Sequence, residues 1–208
     1  MIDNYNIMPN GVIKQINVNK IKYDINYVND RYNQYNDKVV NMSHLRLGNI
    51  IGSIGRIPKS ILDVGYGNGG FLEISKTIIP NCYGNDISDY MLPDGCIYVD
   101  NILIGMYDVV TFFDSLEHFD DINFVKDINC NYICISVPNC HNFNDDWFFE
   151  WKHRRSDEHL YHFNEHSLVH YMNEMGYSLI NSSNIEDIIR TNNQIYSNIL
   201  TCIFKKDE

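Results

Sequence analysis

The stretch Ile61–Leu62–Asp63–Val64–Gly65–Tyr66–Gly67–Asn68–Gly69–Gly70 decides the reading of this chain. An apolar run reaches an acidic residue, breaks into alternating glycines, and resumes as an amphipathic segment from Phe71 to Ile79. A buried strand that turns through a glycine-rich loop into a helix is how α/β proteins seat nucleotide-like cofactors. The glycines permit positive φ and close backbone approach, and the helix start offers N–H groups.

Working outward, strand-like runs occur at Ser60–Val64, Cys82–Ile87, Cys96–Asp100, Tyr107–Phe113, Tyr132–Val137, Tyr177–Asn181 and Ile199–Phe204. Helix-like runs occur at Phe71–Ile79, Ile122–Ile128 and Glu165–Met175, the last with Asn164 as cap and Gly176 as terminator. Strands alternating with helices predict an α/β fold: a doubly wound, Rossmann-like, seven-stranded, mostly parallel sheet with helices on both faces. No helix separates the last two strands, so they are expected to pair antiparallel. Tyr27, Tyr32, Leu45, Leu47, Ile50 and Ile51 supply a packed face for a helical segment before the first of these strands.

At 208 residues the chain fits one domain. The expected division is an arm at 1–25, a helical segment at 26–56, a cofactor-binding core at 57–138, a substrate lid at 139–163, and a helix and strand pair at 164–208. The arm could form a short hairpin. The formal charge of −11 argues against a nucleic-acid partner, which needs clustered Lys and Arg; it is compatible with a cationic cofactor. There is no run of about 18 or more apolar residues and no basic-then-apolar leader, so no membrane is expected and a cytoplasmic location follows by default. Six cysteines without a C-x-x-C read as reduced and buried.

The glycines also satisfy G-x-G-x-x-G, with Asp86 close to 20 residues on, as a nicotinamide site requires. Asp63 and the polar loops at other strand ends favour a different family. Asp63–Gly69, Gly84–Asn85–Asp86–Ile87–Ser88, Tyr98–Val99–Asp100–Asn101, and Tyr107–Thr111 running into Asp114–Ser115–Leu116–Glu117–His118 together resemble a class I S-adenosylmethionine-dependent methyltransferase. Leu45–Arg46–Leu47–Gly48 and His159–Leu160–Tyr161–His162–Phe163, with Ser167–Leu168 and Gly176–Tyr177, are similar to the subgroup of ubiquinone-pathway and sugar or small-molecule O-methyltransferases.

That resemblance implies S-adenosylmethionine as cofactor and a small-molecule acceptor. Its cofactor contacts fall on Arg46, Asp63, Gly65, Tyr66, Gly67, Gly69, Asp86, Ile87, Asp100, Asn101, Phe113 and Asp114. Asp86 would accept the ribose hydroxyls, Arg46 would meet the methionine carboxylate, and Asp100 or Asn101 the adenine amino group. A sulfonium donor leaves as a neutral thioether and needs no acid. The protein must position the nucleophile and, for a hydroxyl, take its proton.

His118 is the first candidate base, with His141 and His162 behind it; Glu117 would orient His118 or bridge Arg154 or Arg155. Pro138–Phe163 carries Trp147 and Trp151 and reads as an aromatic lid at the carboxyl edge of the sheet, where a substrate docks. Asp114-x-x-Glu117-His118 resembles a divalent-metal pattern of some ubiquinone-pathway enzymes, with Asp in place of a longer Glu, and no resident metal is assigned. The expected reaction is O-methylation of a sugar or phenolic hydroxyl. The alternatives are N-methylation of a small amine, a cofactor-binding partner protein, and, further off, a nicotinamide oxidoreductase.

Overall fold

The computed structural model describes residues 4–19, 36–88, 90–190 and 195–207. Its strands are β1 (Tyr5–Ile7), β2 (Ile13–Gln15), β3 (Ser60–Val64), β4 (Asn81–Asn85), β5 (Ile97–Tyr98), β6 (Tyr107–Phe113), β7 (Cys130–Pro138), β8 (Tyr161–His162), β9 (Tyr177–Ser183) and β10 (Ile199–Lys206). The α-helices are α1 (Asn36–Ile54), α2 (Gly70–Ser75), α3 (Asp145–Glu150) and α4 (Glu165–Glu174).

Seven strands form one sheet in the order β5-β4-β3-β6-β7-β10-β9. β3 pairs parallel with β4 and β6, β6 with β7, and β4 with β5, while β10 runs antiparallel to both its neighbours. The expected sheet is therefore present. β6 is buried at every position, as a central parallel strand covered on both faces must be.

Residues alternate between the two faces with period two. Leu62, Val64, Val110 and Phe112 point into a core shared with Leu168, Tyr171 and Met172 of α4. Ile61, Val109 and Phe113 point into a second core under Leu47 and Ile50 of α1 and Leu72 of α2. Asp63 lies on the second face by the same alternation, which directs a carboxylate into an apolar layer. α4 starts on a capping box, with Ser167 N–H donating to the Asn164 side chain, and ends at Gly176 with φ +84°.

Two helical expectations are corrected. The run from Phe71 to Ile79 is helical only to Ser75: Thr77, Ile78 and Ile79 are β-branched, and Pro80 disfavours helix in the residue before it. Ile122–Ile128 holds a 3-10 helix, Asn123–Asp127, too short for an α-helix to propagate. The helical expectation for 26–35, with Tyr27 and Tyr32, lies outside the described residues, as do residues 1–3 and 20–25 of the arm.

Residues 5–15 of the arm form a hairpin. β1 pairs with β2, and β2 pairs with β8 through Ile13↔His162, giving a separate three-stranded sheet. Five of the six cysteines are buried, Cys96 partly so, and all six are unbridged. No helix among the described residues is long and apolar enough to cross a membrane.

Candidate active site

The carboxyl ends of β3, β4 and β6 converge on the glycine loop. Gly65 N–H donates to the Asn85 carbonyl at 2.7 Å, stitching the loop to the end of β4. Gly65 has φ +80°, and a Cβ there would lie 2.6 Å from the Ser115 Cβ, so the chain after β6 packs directly on the bare backbone. Ser115 Oγ in turn donates to the Val64 carbonyl at 2.7 Å. Gly69, φ +74°, makes the turn into α2 beside Pro93.

Asp86 sits just past β4. Its Oδ2 accepts Gly67 N–H at 2.8 Å and its Oδ1 accepts Ser88 N–H at 2.7 Å. Each carboxylate oxygen offers about two lone-pair sites, so one per oxygen is still available to a diol. Ile87, beside it, is 77% exposed, an apolar surface at the loop's rim. Tyr66 is buried and donates its hydroxyl to the Tyr90 carbonyl. These residues fit the cofactor that the sequence implies.

Asp63 accepts the Thr111 hydroxyl at 2.6 Å across β3 and β6. Burial pushes its pKa up to about 6. Asp100 and Asn101 lie on an exposed turn, where Asn101 Oδ1 accepts Leu103 N–H at 3.0 Å, a local role.

Arg46 stands above Phe113, its guanidinium carbon 4.1 Å from the ring centre. It is expected to meet a carboxylate of the cofactor; the structure instead gives it two acids of the chain. Its Nε donates to Glu186 Oε1 at 2.7 Å, and its Nη2 donates to Glu186 Oε2 at 3.0 Å and Asp114 Oδ2 at 3.2 Å. Arg190 closes the network, bonded to both oxygens of Asp114 and, at 2.8 Å, to Glu186. Two cations and two anions thus sit side by side, with the Glu186 side chain fully buried. The guanidinium groups hold both carboxylates below their ordinary range against the opposing effect of burial. Glu186 and Arg190 escaped the sequence reading, although their i,i+4 spacing was a signal.

Beyond Asp114 a 3-10 helix, Leu116–His118, carries the candidate base. His118 Nδ1 is 2.8 Å from the Glu158 carbonyl, and its ring meets His159 edge-on at 4.7 Å between centroids. Burial lowers the pKa of both rings. Glu117 neither orients His118 nor bridges Arg154 or Arg155: it is 1% exposed, and neither carboxylate oxygen has a hydrogen-bond partner. Burial beside Asp114 raises its pKa well above the usual carboxylate range.

The secondary bases are elsewhere. His141 Nε2 is 2.9 Å from the Ser197 carbonyl, and its ring stacks on Phe143. His162 lies on β8, enclosed by Tyr5, Phe148 and Trp151, where burial pushes its pKa down to about 3. Both rings serve the aromatic packing of residues 139–163, whose Phe148 and Trp151 form a small core with Tyr5 and Ile13 of the hairpin.

Residues 32–182 match the family model described as "Methyltransferase domain". No curated protein matches the chain significantly. Among solved structures, the chain is similar to 1,6-didemethyltoxoflavin-N1-methyltransferase of Burkholderia thailandensis, solved with 1,6-didemethyltoxoflavin and S-adenosylhomocysteine. The identity is 12%, the TM-score 0.61, and the match covers 99% of this chain and 100% of that one. Magnesium protoporphyrin IX methyltransferase from Synechocystis PCC 6803, with bound SAH, is 14% identical with TM-score 0.59, over 86% of this chain and 94% of that one. An S-adenosylmethionine-dependent methyltransferase from Clostridium acetobutylicum ATCC 824 is 10% identical with TM-score 0.60, over 86% and 99%. At these identities the likeness is one of fold.

Proposed function

The chain belongs to the methyltransferase-domain family, and from that premise we propose that it binds S-adenosylmethionine at the glycine loop and methylates a hydroxyl of a small sugar or phenolic molecule. The observation that carries the reading is Asp86, which accepts the Gly67 amide while keeping lone-pair capacity at the loop's rim. The structural relatives described with bound S-adenosylmethionine or its demethylated product support the cofactor.

S-adenosylmethionine supplies an electrophilic methyl on a sulfonium. The chain's own residues hold the loop, exclude water and take the proton. Gly65 lets Ser115 pack against the loop, which sets the start of the Leu116–His118 turn relative to it. His118 is the ring positioned to take the acceptor's proton. With Nδ1–H donating to the Glu158 carbonyl, the basic lone pair lies on Nε2. Its lowered pKa keeps the ring neutral at pH 7, the form a base requires. Trp147 and Phe149, on α3, supply the aromatic wall for a phenolic or sugar ring.

Parallel calorimetric titrations with S-adenosylmethionine and NAD test the cofactor. The expected result is binding of the former alone, and NAD binding alone overturns the proposal. A methyl-transfer screen across hydroxylated sugars, phenols and small amines then tests the acceptor; turnover confined to amines overturns the hydroxyl assignment.

A further inference from the structure

Three side chains beyond β6 form a cluster that proton transfer by His118 does not explain. Glu117, His118 and His159 each present one ligand atom, and these atoms lie within 4.8 Å of one another. Glu117 is 1% exposed with both oxygens unpartnered, and His159 is 4% exposed with Nδ1 unpartnered. A buried carboxyl and a buried imidazole nitrogen without partners carry an uncompensated desolvation cost. Side by side, they would both be satisfied by a shared cation.

We propose that Glu117, His118 and His159 form a binding site for one divalent first-row transition ion, zinc above all. One carboxylate and two imidazoles match the borderline character of such ions, whereas Mg²⁺ and Ca²⁺ prefer all-oxygen sets. Asp114, three residues before Glu117, is not among the ligands because Arg46 and Arg190 already hold its carboxylate. The Glu158 carbonyl fixes the His118 ring through Nδ1, as an outer partner does for a ligating histidine. His118 is only partly buried and marks the path of entry. Zinc makes bonds of ~2.0–2.2 Å with nitrogen and oxygen, so the three atoms must draw together around the ion. The ion binds the carboxylate and the two neutral imidazoles, competing with protons for those ligand atoms, and no redox change occurs.

An ion here makes His118 a ligand in place of a proton acceptor, so the two roles belong to two forms of the protein. That consequence rests on the proposed methyl transfer; ion binding itself does not.

The test uses full-length protein stripped with a chelator, titrated calorimetrically with Zn²⁺ and with Mg²⁺, and spectroscopically with Co²⁺. One Zn²⁺ per chain is expected, with proton release, no Mg²⁺ uptake, and ligand-field bands for Co²⁺. Glu117→Gln and His159→Asn should each weaken Zn²⁺ by at least ~10-fold, the least that losing even an outer partner costs. The exposed pair His166 and His170 on α4, with rings 6.2 Å apart, is the competing site. Loss of binding in a His166→Asn/His170→Asn variant instead overturns the proposal, as does unchanged affinity in Glu117→Gln and His159→Asn. Circular dichroism checks that the variants fold; should they not, absence of Co²⁺ bands in the unaltered protein overturns it alone. S-adenosylmethionine titrated into the same metal-free protein reports separately on the methyltransferase reading.

Discussion

Gly67 and Asp86, 19 residues apart in sequence, are joined by a 2.8 Å hydrogen bond from the loop amide to the carboxylate. The bond preorganises the glycine loop with the acid that the cofactor's ribose would meet. Asp86→Ala removes both the loop anchor and the acceptor. Calorimetry should show S-adenosylmethionine affinity falling by at least about 100-fold, since two hydrogen bonds to a charged group are worth about 3–6 kcal/mol. Unchanged affinity would place the ribose elsewhere.

Gly65→Ala forces a Cβ to within 2.6 Å of the Ser115 Cβ at φ +80°. The left-handed backbone alone costs about 1–3 kcal/mol, and Ser115 must also move. Denaturant unfolding should show a loss of at least that size. Gly48→Ala on α1 meets nothing within 4 Å and should gain about 0.5–1 kcal/mol from helix propensity. Equal effects at the two glycines would contradict the packing described.

Glu186→Ala strands Arg46 and Arg190 with a single anion between them. Removing one member of a buried ion network typically costs about 3–5 kcal/mol, because the remaining charges stay desolvated. Urea midpoints should fall accordingly. A change within about 0.5 kcal/mol, usual for an ordinary surface site, would show the network to be dispensable.

Asp63 offers a pH signature. Its folded pKa of about 6 lies above the ordinary carboxylate value, so the folded state holds the proton more tightly than the unfolded chain. The corresponding stability is fully present below about pH 4 and disappears as pH rises through about 6. Asp63→Asn keeps an acceptor for the Thr111 hydroxyl and cannot ionise. The difference between variant and parent should therefore grow across this window by on the order of 2–3 kcal/mol in favour of the variant. A flat difference from pH 4 to 7 would mean that Asp63 is hydrated.

The sheet was legible in the sequence because it is written locally. Apolar runs, glycines and caps mark β3, β6 and α4 to the residue or nearly so. The places of Asp63 within β3 and Asp86 just past β4 are legible for the same reason. Arg46 was not: its partner Glu186 lies 140 residues away, and no spacing rule reaches that far. His159 and Glu117 likewise converge only because Leu160 N–H is anchored on the Glu117 carbonyl at 2.7 Å. The isolation of Glu117 is not legible either, because only the fold shows Arg154 and Arg155 engaged by Ser156 and Glu158.

The hairpin of β1 and β2 binds the segment before β8 through three contacts from one residue. Gln15 N–H donates to the Leu160 carbonyl at 2.8 Å, its side-chain amide donates to Asp157 at 2.7 Å, and its amide oxygen accepts Asp157 N–H at 2.9 Å. Those contacts bracket His159. Loosening of the amino-terminal hairpin would therefore free the chain on either side of that imidazole, tying the order of the site to a strand pair far from it in sequence.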